Sequence, residues 1–107
     1  MNKVPNPSDQ PIVNLTKWTI LEMNGVRVFI GQEQELSHRI RISTPLVQFD
    51  PETMTGVTRS GRIYNLIGEP RPEPLEDSTV KYAAGIWGID LDRVTVVEIE
   101  RPSPRLH

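Results

Sequence analysis

The sequence predicts an α+β fold that is mostly β. Five to six antiparallel strands form a hairpin and a meander able to close into a small open barrel, with one C-terminal-half helix packed on the sheet. Three observations carry this reading. Among 39 apolar residues ten are Val and ten are Ile, only two are Ala, and eight Thr enlarge the β-branched set; such side chains are stiff at χ1 and suit a pleated surface better than a helix. Short alternating apolar runs recur between turn dipeptides through the first two thirds of the chain. The spacing becomes helical once, before Gly88.

At 107 residues the chain has room for one domain, and its 36% apolar content, below the roughly 45% usual for globular domains, implies a small core. Residues 1–10 hold two prolines and two apolar side chains, too few to offset the entropy of ordering, and are expected to form a flexible N-terminal arm. Residues 101–107 read as a flexible tail for the same reason. The domain is then residues 11–100.

Within it, residues 18–30 read as a hairpin about Asn24-Gly25, the pair best suited to the positive φ angles of a type I′ turn. A two-residue loop pairs Met23 with Val26, Glu22 with Arg27, Leu21 with Val28 and Ile20 with Phe29. Leu21, Met23, Val26, Val28 and Ile30 then share one face; Trp18, Ile20 and Phe29 share the other with Glu22 and Arg27. Both faces carry apolar weight, so the second needs cover from the helix or a partner. After a polar stretch, residues 32–37, the run 38–42 alternates, placing Ile40 and Ile42 inward and Arg39 and Arg41 outward. Pro45 interrupts it, so residues 46–49 form a separate strand or continue an edge past a kink. Asp50-Pro51-Glu52-Thr53 fits a type I turn. Residues 54–59 and 62–67 are strands joined by Ser60-Gly61, which completes a three-stranded meander.

Residues 69–74 place proline at every second position, as a stiff extended connector would. Asp77 or Ser78 caps the following helix; Val80, Ala83 or Ala84, and Trp87 recur at helical spacing, and Gly88 ends it. Residues 93–99 return to the sheet as a strand.

Several chemistries are disfavoured. The net charge of −2 creates no general attraction for polyanions. The chain has no cysteine, which removes disulfides, thiol nucleophiles and Cys-ligated metals. Its only histidines, His38 and His107, cannot assemble a zinc site. Asp90 and Asp92 lack the remaining ligands of a calcium loop and read as turn caps. Ser60 lies in no nucleophile motif, Asp50 and Glu52 sit in an open turn, and Gly56, Gly61 and Gly68 form no phosphate loop. No catalytic residue, metal or cofactor is therefore expected. No apolar run nears the roughly 18 residues of a membrane span, and the polar start lacks a signal peptide's apolar segment, so the expectation is a soluble, cytoplasmic protein away from membranes.

What remains is arginine. If Ser60-Gly61 were a two-residue loop, Arg59 and Arg62 would stand opposite each other, with Val57 and Tyr64 on the same face. With Arg39 and Arg41 on another strand, this set has the chemistry to grip anions or anchor an interface. The plainer reading is that the guanidiniums splay into water or reach neighbouring carboxylates. Residues 27–71 hold six Arg against five acids, whereas residues 72–100 hold two basic residues and seven acids, a two-sidedness that suits self-association or a charged partner.

The expectation is a small non-enzymatic interaction protein, an adaptor, inhibitor or assembly subunit. It binds a protein partner, or a second copy of itself, through Arg39, Arg41, Arg59, Arg62 and Tyr64. The alternative is a nucleic-acid-binding sheet with Tyr64 as the stacking platform and the same arginines on phosphates.

Overall fold

A computed structural model describes residues 11–99; the expected arm and tail lie outside the described residues. The strands are β1 (Ile12–Met23), β2 (Val26–Glu33), β3 (Leu36–Ile42), β4 (Leu46–Asp50), β5 (Thr55–Thr58), β6 (Ile63–Ile67) and β7 (Thr95–Val96), with one α-helix, α1 (Ser78–Trp87). They form a seven-stranded sheet in the order β3-β2-β1-β6-β5-β4, with β7 also on β1. The mostly-strand α+β class is as the composition predicts.

The hairpin forms in the expected register, Met23 opposite Val26 through Ile20 opposite Phe29. Asn24 and Gly25 have φ of 55° and 79°, the type I′ pair. The expected cross-strand ion pair joins Arg27 Nε to Glu22 Oε1 at 2.8 Å. The next turn is tighter than the polar composition implied, because β2 runs on to Glu33 and β3 starts at Leu36.

One strand pair departs from the antiparallel expectation: β1 and β6 are parallel, with Ile12 beside Ile63 and Leu15 beside Leu66. The cause lies at Pro45. β3 runs into β4 through residues 43–45 without reversing, so the β4–β6 meander ends in the same direction as β1. Proline contributes no N–H and keeps Thr44 extended, so the chain leaves one ladder and enters another on nearly the same heading.

Because β3 and β4 are the two ends of the strand order, this link also sets the curvature. Three linking residues span at most about 15 Å between Cα atoms, whereas the outer strands of a flat six-stranded sheet stand about 24 Å apart. The sheet must curl. Phe29 on β2 meets Phe49 of β4 at 5.9 Å and Tyr64 of β6 at 5.5 Å between ring centroids.

A bulge lets β1 serve both faces of the curl. Lys17 has φ 48°, and the β1–β2 register shifts between Thr16 and Thr19. This break switches the alternation, so Val13 and Leu15 before it and Trp18 and Ile20 after it all enter the inner core with Phe29, Tyr64 and Leu66. The outer core is Leu21, Ile30, Val80 and Val94. Each face of the hairpin is thus covered, the inner one by the rest of the sheet and the outer one by α1; each fully buried large side chain contributes about 1.5–3 kcal/mol.

The proline-rich connector is anchored beside the bulge. The Arg71 backbone N–H donates to Trp18 O at 2.7 Å, Arg71 Nε to Lys17 O at 3.0 Å, and Trp18 Nε1 to Gly68 O at 3.2 Å. Arg71 Nη1 also reaches Asp77 Oδ2 at 3.2 Å, while Asp77 Oδ1 accepts from the N–H groups of Thr79 and Val80 as the helix cap. Gly88, φ 72°, closes α1. The final strand is shorter than expected: a single 3-10 turn, Leu91–Arg93, precedes it, and Asp90 Oδ1 accepts from Asp92 N.

Two outcomes test this packing. A Cβ at Gly56 would lie 2.6 Å from Phe29 Cζ, so Gly56→Ala is expected to destabilise the fold by about 1–3 kcal/mol in a urea titration. Burial alone would raise the Asp77 carboxyl, but the bonds from Val80, Arg71 and Thr79 hold it below its ordinary value. A carboxyl so lowered stabilises the fold above its unfolded pKa of about 4 and loses that contribution as pH falls through the folded value. Asp77→Ala should therefore cost about 1 kcal/mol at neutral pH, and Asp77→Asn should flatten the acid limb of a melting-temperature profile.

Candidate functional site

The β5–β6 hairpin decides where the arginines go. Val57 pairs with Ile63 and Gly56 with Tyr64, and Thr58 N donates to Arg62 O at 3.0 Å. Thr58, not Arg59, faces Arg62. The loop holds three residues, 59–61, with Gly61 at φ 91°, the glycine-ended loop that is next most common after two-residue turns. The expected opposition of Arg59 and Arg62 is therefore incorrect, as is the shared face of Val57 and Tyr64. Arg59 is exposed on the loop, and its backbone N–H donates to Pro45 O at 2.7 Å.

Arg62 and Tyr64 instead alternate onto the inner face of the curl, 6% and 1% exposed. From the other half of the sheet comes Arg41, expected outward but only 7% exposed. The alternation of β3 was read correctly; the curl covers the face that a flat sheet would leave in water. Arg41 is paired with Gly31, where a Cβ would lie 3.1 Å from Thr16 O and 3.2 Å from Leu15 Cβ, so glycine lets β1 pass close to β2 at the bulge. Arg41 Nη1 donates to Glu33 Oε2 at 2.8 Å, and its Nε to Tyr64 Oη at 3.1 Å. Burial alone would lower the Arg41 pKa, but the bonds to Glu33 and Tyr64 prevail and hold it above its ordinary value. Arg39, on the same face nearer the rim, approaches Glu33 Oε2 at 3.5 Å with 43% of its side chain exposed.

These side chains line a cavity of about 300 Å3 along β3, with Ile40 and Ile42 on its apolar side and Trp87 at its rim. Of the five residues singled out in the sequence, the fold gathers Arg39, Arg41, Arg62 and Tyr64 and leaves Arg59 outside. Tyr64 is enclosed against Phe29, with its hydroxyl engaged by Arg41, so it is not the exposed stacking platform expected of a nucleic-acid sheet. Glu33 and Trp87 are additional members. Extending the β2 alternation from Phe29 through Gly31 would have placed Glu33 on the inner face.

Trp87 keeps the expected spacing with the buried Val80, Ala83 and Ala84, yet is 60% exposed. The helical spacing is as expected, but its last member is left uncovered at the rim of the cavity along β3. Chemically, the cavity offers three guanidiniums and one carboxylate on one wall and an indole with two isoleucines on the other. That combination accepts carboxylates and apolar side chains together.

No protein-family model, curated protein or solved structure matches the chain. Among the described residues, no group of three or more His, Cys, Asp and Glu side chains is placed to hold a metal ion, and no helix is long and apolar enough to cross a membrane.

Removing Glu33 would leave Arg41 buried without this counter-ion. Glu33→Gln is expected to cost about 3–5 kcal/mol in chemical denaturation, and the double variant Glu33→Leu, Arg41→Met to recover most of that loss. Equal losses in single and double variants would show that the pair is not the stabilising unit.

Proposed function

We propose that this chain is a small non-enzymatic interaction protein, an adaptor, inhibitor or assembly subunit, that binds a protein partner through the cavity between β3 and the end of α1. The observation that carries this reading is the placement of Trp87, 60% exposed, beside the Arg39, Arg41 and Arg62 wall. Tryptophan and arginine are the residues most enriched among energetic anchors of protein interfaces, and a large indole left in water is unfavourable unless something covers it. This moves the expected arginine surface from the hairpin tip to the mouth of the curl.

Charge distribution supports the same reading. The cationic wall is built from β3 and Arg62, the residue just before β6, while Glu73, Glu76, Asp77, Asp90 and Asp92 flank α1 and the turn after it. A partner meets fields of opposite sign within one small domain, which fixes its orientation during encounter.

The test is affinity capture with the full chain, comparing the native sequence with Trp87→Ala and Arg39→Gln. Both side chains are substantially exposed, so circular dichroism and melting temperature should change little. A partner retained by the native chain should be lost, or weakened about tenfold or more, by each variant. Recovery that is the same for all three proteins would remove this cavity as the contact.

A further inference from the structure

We infer that the cavity receives an extended segment of the partner, which adds to the outer edge of β3 as a further strand and alternates apolar with acidic residues. The inference rests on the docking reading above and specifies its mode.

The backbone of β3 supplies the first argument. Ser43 N donates to Phe29 O at 2.9 Å, so the pair two residues along, Arg41 with Gly31, is again the bonded kind in an antiparallel ladder. The intervening Ile40 and Ile42 therefore direct their N–H and C=O groups away from β2. Among the described residues no strand lies beyond β3. An open row of donors and acceptors is the template used in strand addition.

The exposed end of α1, Trp87, lies on the same cavity. Val80, Ala83, Ala84 and Trp87 occupy one stripe at i, i+3, i+4 and i+7; the first three are buried and the fourth is not. A strand added about 4.8 Å beyond β3 would extend the sheet beneath Trp87 and complete the layer the helix already covers. Residues of the incoming strand that point toward α1 would meet Ile40, Ile42 and Trp87, and so would be apolar.

Charge selects the alternate positions. Residues pointing to the other face would lie beside Arg39 and Arg41, with Arg62 across the cavity and Glu33 the one carboxylate in its lining. The arginines keep their internal bonds; a guanidinium has five N–H donors and a field that extends beyond one partner. Aspartate or glutamate is favoured there. A second copy of this chain is not: pairing β3 with its own equivalent antiparallel would bring the Arg39 and Arg41 sets onto one face, a like-charge juxtaposition that disfavours self-pairing.

The experiment uses the full chain and a fluorescent peptide of about eight residues, alternating valine and aspartate. Control peptides replace aspartate by lysine, or carry N-methyl groups at the amides that would face β3. The acidic peptide should bind, with affinity falling as salt is raised. The lysine peptide should be at least about tenfold weaker, and N-methylation should abolish binding while leaving every side chain in place.

Amide exchange provides the discriminating signal. Ile40 and Ile42 should become protected on binding, whereas Arg41, already bonded to β2, should not change. Equal binding of the N-methylated peptide, or bound peptide without protection at Ile40 and Ile42, would overturn strand addition while leaving the docking reading intact. So would a dimer in sedimentation whose formation alone protects those two amides. Absence of binding by the acidic peptide would overturn its proposed chemistry, and the capture comparison would then judge the docking reading separately.

Discussion

The three-residue link from β3 to β4 is the constraint on which the rest of the structure depends. It joins the two ends of the strand order without a reversal of direction, and two consequences are unavoidable. The meander that follows must come back parallel to β1, and the sheet must bend until its outer strands are close. The inner core depends on that bend, since Phe29 on β2 meets Phe49 on β4, four places away in the strand order, where a flat sheet would hold the two strands about 19 Å apart. Pro45 is suited to this corner because an extended residue without a donor passes between ladders at little cost in backbone bonding.

The bulge at Lys17 solves the second problem, that of a twelve-residue strand with two environments. Before it, the edge of β1 is taken by β6; beyond it, the same edge receives Arg71 at Trp18, Val97 at Ile20 and then β7. The backbone groups of a buried strand need partners along its whole length, and here they come from three separate parts of the chain. Arg71 belongs to this solution: its backbone satisfies β1 and its side chain joins the bulge to the capped start of α1. The proline-rich connector is therefore part of the packed domain where it crosses the bulge.

Sequence alone made local geometry legible and non-local cover illegible. The Asn24-Gly25 turn, the four-pair register below it, the Asp77 cap and the Gly88 terminus all arise from interactions a few residues apart, and each is found where its residues place it. The β5–β6 loop was also local, yet Gly61 is compatible with a two-residue and a three-residue loop alike; one residue of difference moved Arg62 from beside Arg59 to opposite Thr58. For Arg41 the alternation was right and the environment wrong, because nothing within β3 announces that β6 will fold over it. Trp87 carries the same lesson in reverse. Its helical spacing marks the core face, but whether sheet lies beneath that face depends on where β3 ends the strand order.

Arg41 shows why the site and the fold are difficult to separate. Its guanidinium bonds to Glu33 on the neighbouring strand and to Tyr64 on the far half of the sheet, pinning the mouth of a curl whose interior is held by aromatic packing. An apolar residue there would hold the mouth by packing alone, and a buried ion pair is seldom more stabilising than well-fitted hydrocarbon. What the charged choice adds is direction: bonds of fixed geometry between two halves of a sheet that hydrophobic contact alone would let slide. The same positive charge, repeated at Arg39, lies beside a β3 edge that no strand among the described residues pairs, where like charge disfavours pairing with copies of the chain. Position 41 thus meets two demands together, closure of the curl and a like-charge guard on the strand that ends the sheet order among the described residues.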